Sequence, residues 1–253
     1  MTRLIPALPL AALLALPTAL PAQEFDFENM TDAQKTAFGA AVREYLLNNP
    51  QTIIDAVDRL EEQQREMAAR AEIAMVEVNR EALLNDGYSY VGGNPDGDVT
   101  IVEFLDYRCG YCRRAHPEVA ELLETDGNIR IIVKELPILG PDSDASSRFA
   151  IAVKQIHGGE LYKQVGDALM EMNGEVNDAA LTRLAESFDF DPAPVLERMG
   201  SEEVTQEIAE TRALAQRLQI NGTPSFVMGD RMVRGYVPLD SMRQIIAQER
   251  ADG

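Results

Sequence analysis

A Cys-Gly-Tyr-Cys motif at residues 109–112 holds both cysteines of this 253-residue chain. An apolar segment from Val99 to Tyr107 precedes the motif and predicts a buried strand, and the residues from Cys109 to about Glu124 predict a helix. Such a junction places the first thiol at a helix N-terminus, where unpaired backbone N–H groups and the helix dipole favour the thiolate over the thiol. The motif therefore predicts the chemistry of thiol–disulfide exchange.

Other uses of a Cys-x-x-Cys pair fit this sequence less well. A structural zinc site needs four ligands, and besides the cysteines the chain offers only His116 and His157 as typical partners. Haem attachment needs a histidine directly after the second cysteine, where this chain has Arg113. A purely structural disulfide is an alternative, although a bridge that closes so short a loop constrains the unfolded chain little. We predict neither a cofactor nor a metal at the motif.

The N-terminus has the pattern of a secretory signal peptide, which we assign to residues 1–22. Arg3 supplies the positive charge, Leu4 to Leu16 form the apolar stretch, and cleavage is expected after Ala22. A membrane span takes about 20 apolar residues, so an uncleaved anchor is the minor alternative. An exported chain meets an oxidising compartment, where a Cys-x-x-Cys pair persists as a disulfide. The formal net charge of −19 argues against partners made of nucleic acid or anionic lipid.

The residues that follow the signal peptide predict two helices, which together form a helical region over residues 23–86. The first spans residues 31–48, and the second runs from about Pro50 to Leu84 with a heptad of apolar residues. One interpretation folds the second helix back onto the rest of the chain. We favour the other, an oligomerisation stalk. Its seam comprises Ile53, Leu60, Met67 and Ala74 at one heptad position and Val57, Gln64, Ala71 and Val78 at the other.

From residue 87 onward the pattern is that of an α/β domain. Two strands, a helix and a third strand are followed by a mostly helical block over about residues 141–218, and then by a hairpin and a closing helix. This order predicts one α/β layer with an inserted helical subdomain, preceded by an all-α extension.

The Cys-x-x-Cys after a strand and Thr223-Pro224 before a late strand resemble the thioredoxin fold. With the helical block between the two halves, residues 87–250 resemble the DsbA family of periplasmic dithiol–disulfide oxidoreductases. Residues 93–112 are especially similar to family members of the ScsC and Com1 kind. The helical extension also resembles that of the oligomeric ScsC-like disulfide isomerases. The resemblance implies a thioredoxin fold and a periplasmic location.

The resemblance also implies roles for the residues of the site. Cys109 matches the attacking cysteine and Cys112 the resolving cysteine. Pro224, preceded by Thr223, matches a cis-proline that lies beside the cysteines and offers a backbone edge to an extended client segment. Taken alone, a Thr-Pro dipeptide is more often trans.

Three further features concern the tuning of the thiols. Glu103 matches a buried acid beneath the active site and Lys134 resembles its partner, so the pair is expected to relay the Cys112 proton through water; the alternative is that one or both reach solvent. Gly110 and Tyr111 replace the Pro-His of the strongly oxidising members, which predicts a weaker oxidant. We interpret His116 as a surface histidine, with tuning of the thiols as the alternative.

The sequence is consistent with three functions. The first is an oligomeric disulfide isomerase or reductase, favoured as a homotrimer, that acts on exported proteins with cysteines and is kept reduced by a DsbD-like membrane partner. The second is a monomeric DsbA-like oxidase that a DsbB-like partner reoxidises. The third is a copper-binding protein of the cell envelope. We favour the first because the stalk and the Gly-Tyr dipeptide both point to it.

Overall fold

The computed structural model describes residues 27–252, so the predicted signal peptide lies outside the described residues. The chain divides into two compact units, with the boundary between Glu62 and Gln63. Within the described range, none of the helices is both long enough and apolar enough to cross a membrane.

The two N-terminal helices form where the sequence predicts them. Helix α1 (Asp32–Asn48) is capped by Thr31, whose side chain accepts a hydrogen bond from the Gln34 backbone N–H while the Gln34 side chain accepts from the Thr31 N–H. This reciprocal pair satisfies backbone donors that the first turn leaves free. Helix α2 (Gln51–Val78) begins directly after Pro50.

The predicted continuation of the second helix to Leu84 is wrong, because Asn79 interrupts it. The Asn79 side chain donates to the Met75 carbonyl and accepts from Arg217 Nε at 2.7 Å, and a short helix α3 (Arg80–Leu84) follows. Arg217 lies far along the chain, so local sequence does not announce this break. Val76 and Leu83 are buried in the core of the second unit. Residues 63–86 are therefore part of that unit, whereas the sequence analysis grouped them with the extension.

The apolar seam of α2 is exposed to solvent in the single chain. Ile53, Leu60 and Met67 expose 49%, 53% and 61% of their surface. Farther along, Val76 is buried instead, while Val78 at a predicted seam position is 85% exposed. The first part of the heptad therefore presents exposed apolar side chains, whereas residues toward its end, such as Val76, pack within the second unit.

The second unit is built on a mixed sheet of five strands in the order β1-β3-β2-β4-β5. Strands β2 and β3 are parallel, and the other neighbours are antiparallel. The strands are β1 (Tyr90–Gly93), β2 (Val99–Leu105), β3 (Ile129–Glu135), β4 (Ser225–Met228) and β5 (Arg231–Arg234). The helices are α4 (Gly110–Asp126), α5 (Pro141–His157), α6 (Gly159–Glu171), α7 (Asp178–Ser187), α8 (Pro192–Met199), α9 (Glu202–Arg217) and α10 (Leu239–Asp252).

Alternation along the strands divides the core between the two faces of the sheet. On one face, Ile101 and Ile131 pack with α4 and α10. On the other face, Val102 and Ile132 pack with α9 and with Val76. This division decides on which side of the sheet each charged strand residue lies.

Helices α5 to α9 form the predicted helical insertion between β3 and β4. Its core also takes up Leu105, Tyr107 and both cysteines, so the insertion packs against the loop that carries the motif. The predicted order of strands and helices is thus confirmed, and the fold is a thioredoxin-type α/β layer with a helical subdomain.

Candidate active site

Asp106 fixes the loop between β2 and the motif. Its carboxylate is fully buried; Oδ1 accepts from the Arg108 N–H at 2.8 Å, and Oδ2 accepts from the N–H groups of Ile138 and Leu139 at 2.8 and 3.1 Å. An aspartate after a strand commonly caps a turn in this way. Asp106 is not among the predicted site residues, although an aspartate directly after a buried strand is a local signal for such a turn.

Two arginines hold the motif against the helical subdomain. Arg108 donates to the carbonyls of Met172 and Gly174, and Arg113 donates to those of Tyr107 and Met172, over 2.7 to 3.1 Å. They also place positive charge beside the motif in a chain of net charge −19. Neither arginine is among the predicted site residues, although basic residues that flank the motif in so acidic a chain are a visible signal.

Cys109 and Pro224 lie together, as the resemblance implied. Cys109 is the N-cap of α4, and its thiol donates to the Thr223 carbonyl at 3.1 Å. The Thr223–Pro224 peptide bond is cis, which confirms that prediction. The Pro224 carbonyl accepts from the Gly235 N–H, which ties this loop to the end of β5.

The two cysteines are both free thiols, but their surroundings differ. Cys109 keeps 7% of its surface exposed, whereas Cys112 is fully buried. Burial raises the pKa of the Cys112 thiol well above its usual range, and the negative charges of Cys109 and Glu103 raise it further. The Cys112 thiol therefore needs a base to form its thiolate, and Cys109 is the one of the two cysteines that solvent reaches.

The dipeptide between the cysteines faces outward. Tyr111 is 62% exposed and stacks on Tyr236 with ring centroids 6.4 Å apart, and the Arg114 guanidinium lies over the Tyr236 ring. Open space surrounds the position that a side chain at Gly110 would occupy. The dipeptide thus contributes an aromatic surface beside Cys109.

Glu103 is buried beneath the motif, as predicted. It exposes 3% of its surface, and among the described residues its Oε1 has no hydrogen-bond partner. Burial raises its pKa to about 7, against the opposing attraction of His116. A carboxyl with this pKa exchanges its proton readily near neutral pH, which suits a base for the Cys112 thiol.

The predicted pairing of Glu103 with Lys134 is wrong. In the parallel register Glu103 lies opposite Val133, while Lys134 lies opposite Phe104, so the two side chains point to opposite faces of the sheet. The Lys134 ammonium instead binds the Asp86 carboxylate and the Ala82 carbonyl. Lys134 therefore binds the segment after α3 to the face of the sheet that carries Val102 and Ile132.

Glu135 is a second buried carboxyl that the sequence analysis missed. It accepts hydrogen bonds from the hydroxyls of Tyr107, Tyr162 and Ser147 over 2.7 to 2.8 Å. Burial raises its pKa to about 7 despite these bonds. A glutamate at the end of an apolar strand was the one local signal, since its three partners are distant in sequence.

His116 lies on the face of α4 toward α6, where its Nε2 is 3.0 Å from Asp167 Oδ1. Its side chain is 31% exposed, so the interpretation of a plain surface histidine does not describe it fully. Within residues 27–252 no three side chains among His, Cys, Asp and Glu are grouped so as to hold a metal ion.

Two family models match this chain. Residues 100–247 match the DSBA-like thioredoxin domain, and residues 34–66 match the N-terminal domain of the copper resistance protein ScsC. Together these matches cover nearly all of β2, strands β3 to β5, the helical insertion and most of the two N-terminal helices, whereas β1 lies outside them.

Solved structures and a curated protein are similar to parts of this chain. A thioredoxin-like oxidoreductase from Silicibacter pomeroyi DSS-3 is 43% identical with a TM-score of 0.64, over 68% of this chain and 98% of that one. ScsC from Proteus mirabilis, at 24% identity and a TM-score of 0.65, shares the fold over 88% of this chain and 100% of that one. The Na(+)/H(+) antiporter NhaA 1 of Salinispora arenicola is 29% identical over 154 residues, which are 60% of this chain and 23% of that protein. This chain therefore spans less than a quarter of the length of that curated relative.

Proposed function

We propose that this chain, which belongs to the DsbA-like thioredoxin family of thiol–disulfide oxidoreductases, reduces and rearranges disulfides in exported proteins of the periplasm. The observation that carries the proposal is the asymmetry of the two cysteines. Cys109 stands at the start of α4 beside the cis Thr223–Pro224 bond, while Cys112 is fully buried behind it.

The reaction follows from this arrangement. The Cys109 thiolate attacks one sulfur of a client disulfide, the client S–S bond breaks, and one client thiolate leaves from the resulting mixed disulfide. If a second client thiolate then attacks the client sulfur of that bond, the client is rearranged and both cysteines of this chain stay reduced. If Cys112 attacks Cys109 Sγ first, the client leaves reduced and this chain becomes oxidised. A DsbD-like membrane reductant would return it to the dithiol form.

The dipeptide favours the isomerase and reductase direction. Thiolate stabilisation makes a Cys-x-x-Cys protein a strong oxidant because it favours the reduced form. Tyr111 is turned to Tyr236 and offers Cys109 no ring nitrogen. We therefore assign this chain less oxidising strength than members with Pro-His, which fits a protein that keeps its cysteines reduced.

The exposed seam of α2 supports assembly through the N-terminal helices. Exposed apolar side chains at Ile53, Leu60 and Met67 are costly in water unless a second copy covers them. The match of residues 34–66 to the ScsC N-terminal domain supports the same region as the assembly element. We propose a homotrimer, which would present several Cys109 thiols to one client.

Refolding of scrambled ribonuclease tests the proposal directly. The wild type should restore activity and Cys109→Ser should not, while Cys112→Ser should retain rearrangement and lose net reduction of insulin. If the protein is instead a monomeric oxidase, it should oxidise reduced ribonuclease quickly and restore little activity to scrambled ribonuclease. Equal activity of the wild type and Cys109→Ser on scrambled ribonuclease, insulin and reduced ribonuclease would rule out thiol–disulfide exchange at this site.

A further inference from the structure

A cavity of about 100 Å³ lies between the sheet and helices α4 and α6. Glu103 lines it at the buried end, and His116 and Asp167 line it where their side chains are 31% and 43% exposed. A single buried water needs only about 10–15 Å³ of such space together with polar partners, and the carboxylates and the imidazole supply those partners. The cavity thus connects the acid beneath the cysteines with residues that reach solvent.

We propose that His116, held in place by Asp167, is the cationic partner of Glu103 and the outlet for the Cys112 proton, in the role that the sequence analysis gave to Lys134. The proposal rests on the proposed function, because it concerns the resolving step of the same site. His116 acts through Glu103 and does not touch the sulfur atoms, so it is a positioning residue.

The step balances in protons and electrons. The Cys112 thiol gives its proton to the Glu103 carboxylate, and the Cys112 thiolate attacks Cys109 Sγ. The Cys109–client S–S bond breaks, the Cys109–Cys112 bond forms, and the client leaves as a thiolate. The His116 imidazolium first releases a proton to solvent beside Asp167, and the neutral imidazole then takes up the proton of Glu103 across the cavity, which restores the imidazolium and the Glu103 carboxylate.

The geometry favours His116 over other candidates for this role. Lys134 lies on the opposite face of the sheet, where Asp86 binds it. Lys163 lines the same cavity, but its ammonium is bound to Asp167 Oδ2 at 2.8 Å and its side chain is 52% exposed. His116 is the residue whose positive charge opposes the raised pKa of Glu103, and histidine changes its charge near neutral pH.

Other ionisable groups surround the cavity and enter any pH response. Glu135 raises the pKa of Glu103. For Asp167, burial raises the pKa, but the hydrogen bonds from His116 and Lys163 outweigh it and lower the pKa overall. The remaining ionisable side chains on the cavity wall are the phenols of Tyr90, Tyr107 and Tyr162, and their pKa values are raised by burial. The tyrosines stay neutral at the pH values concerned, so the response comes from Glu103 and from Glu135, whose pKa burial also raises to about 7.

Ellman's reagent separates the two chemical steps in the full-length protein. Attack by Cys109 releases a first coloured thiolate, and attack by Cys112 on the mixed disulfide releases a second. In the wild type the rate of the second phase should fall as pH drops through the Glu103 titration. In Glu103→Gln that phase should be slow and should lose this midpoint.

His116→Gln should move the midpoint of the second phase upward by about half to one pKa unit, which slows it about three- to tenfold below the midpoint. The first phase should be unchanged. The matched control is His157→Gln, because His157 is exposed and packs on Phe190 away from the cavity. His116→Lys, which keeps a positive charge on the same face, should hold the midpoint at or below the wild-type value.

A midpoint in His116→Gln that shifts no more than in His157→Gln would overturn the proposal. If His116→Gln does not fold, His116→Lys decides alone, because a raised midpoint in that variant contradicts a role for the charge. Failure of the proposed function has a different signature: the first phase would be as fast in Cys109→Ser as in the wild type.

Discussion

Tyr107 donates its phenolic O–H to Glu135 Oε1 over 2.8 Å, which ties the loop before Cys109 to the end of β3. Tyr162 and Ser147 donate to the same carboxyl from the helical insertion. A buried carboxylate is costly unless its oxygens accept hydrogen bonds, and here three hydroxyls meet that need. The sheet, the motif loop and the insertion are therefore joined at one titratable group.

Stability should fall as pH rises from about 4.5 to about 7. The pKa values of Glu103 and Glu135 are both raised by burial to about 7, so the folded chain binds more protons than the unfolded chain in that window. The free energy of unfolding then decreases with pH, on the order of 3 kcal/mol for each carboxyl, and levels off above both pKa values. Urea denaturation across this range measures the effect.

Glu135→Gln is the matched variant for this prediction. It keeps a similar shape and an acceptor oxygen but cannot titrate, so its stability should depend less on pH between about 4.5 and 7 than that of the wild type. An identical slope in the two proteins would show that Glu135 does not titrate there. Below about pH 4 both should lose stability. Burial raises the pKa of Asp86, but its hydrogen bonds with Lys134 and Ser89 outweigh this and lower the pKa overall, and Arg250 lowers the pKa of Asp126.

Lys134→Met should destabilise the fold while leaving the chemistry of the thiols intact. Its side chain is fully buried and Asp86 is nearly so, and loss of one partner of a buried ion pair costs about 3–5 kcal/mol. The midpoint of urea denaturation should fall accordingly. The second thiol phase with Ellman's reagent should keep its rate, since Lys134 and Glu103 lie on opposite faces of the sheet. A slowed second phase in this variant would restore the pairing that the sequence analysis expected.

Tyr111→His should make the protein a stronger oxidant. A ring nitrogen close to Cys109 stabilises the thiolate and with it the reduced form, and each 1.4 kcal/mol of stabilisation raises the reduction potential by about 30 mV. Equilibration with glutathione measures the potential. Tyr111→Phe keeps the ring that stacks on Tyr236 and should stay near the wild-type value. A potential that is the same for the histidine and phenylalanine variants would contradict this tuning.

Leu60→Glu should dissociate the proposed trimer and lower isomerase activity several-fold, without loss of insulin reduction per subunit. Leu60 lies at the seam and is 53% exposed in the single chain. The introduced carboxylate would therefore be buried, and destabilising, only where another copy covers this position. Light scattering gives the mass and scrambled ribonuclease the activity. Ala69→Glu adds the same charge at an exposed position of α2 off the seam and should do neither. A wild type that already has the mass of one subunit would refute the assembly.

Sequence patterns predicted what depends on local chemistry. Periodicity located the helices and strands, and the motif together with Thr223-Pro224 located the reactive edge. The partner of Lys134 was not predictable, because it depends on the register between β2 and β3, and a shift of one residue reverses the face. The break at Asn79 was missed for a related reason, since its partner Arg217 comes from a helix that is distant in sequence. The hydroxyl donors to Glu135 also come from separate elements, so their convergence was not predictable from local sequence.

The alternation of side chains along β3 between the two faces of the sheet has an evolutionary consequence. Insertion or deletion of one residue ahead of Lys134 would carry this cation to the side of the sheet where Glu103 lies, and would carry Glu135 away from its tyrosines. A shift of one residue in β3 thus separates a lysine that stabilises the fold from one that would serve proton transfer. Relatives that differ by such a step would be expected to exchange these two duties.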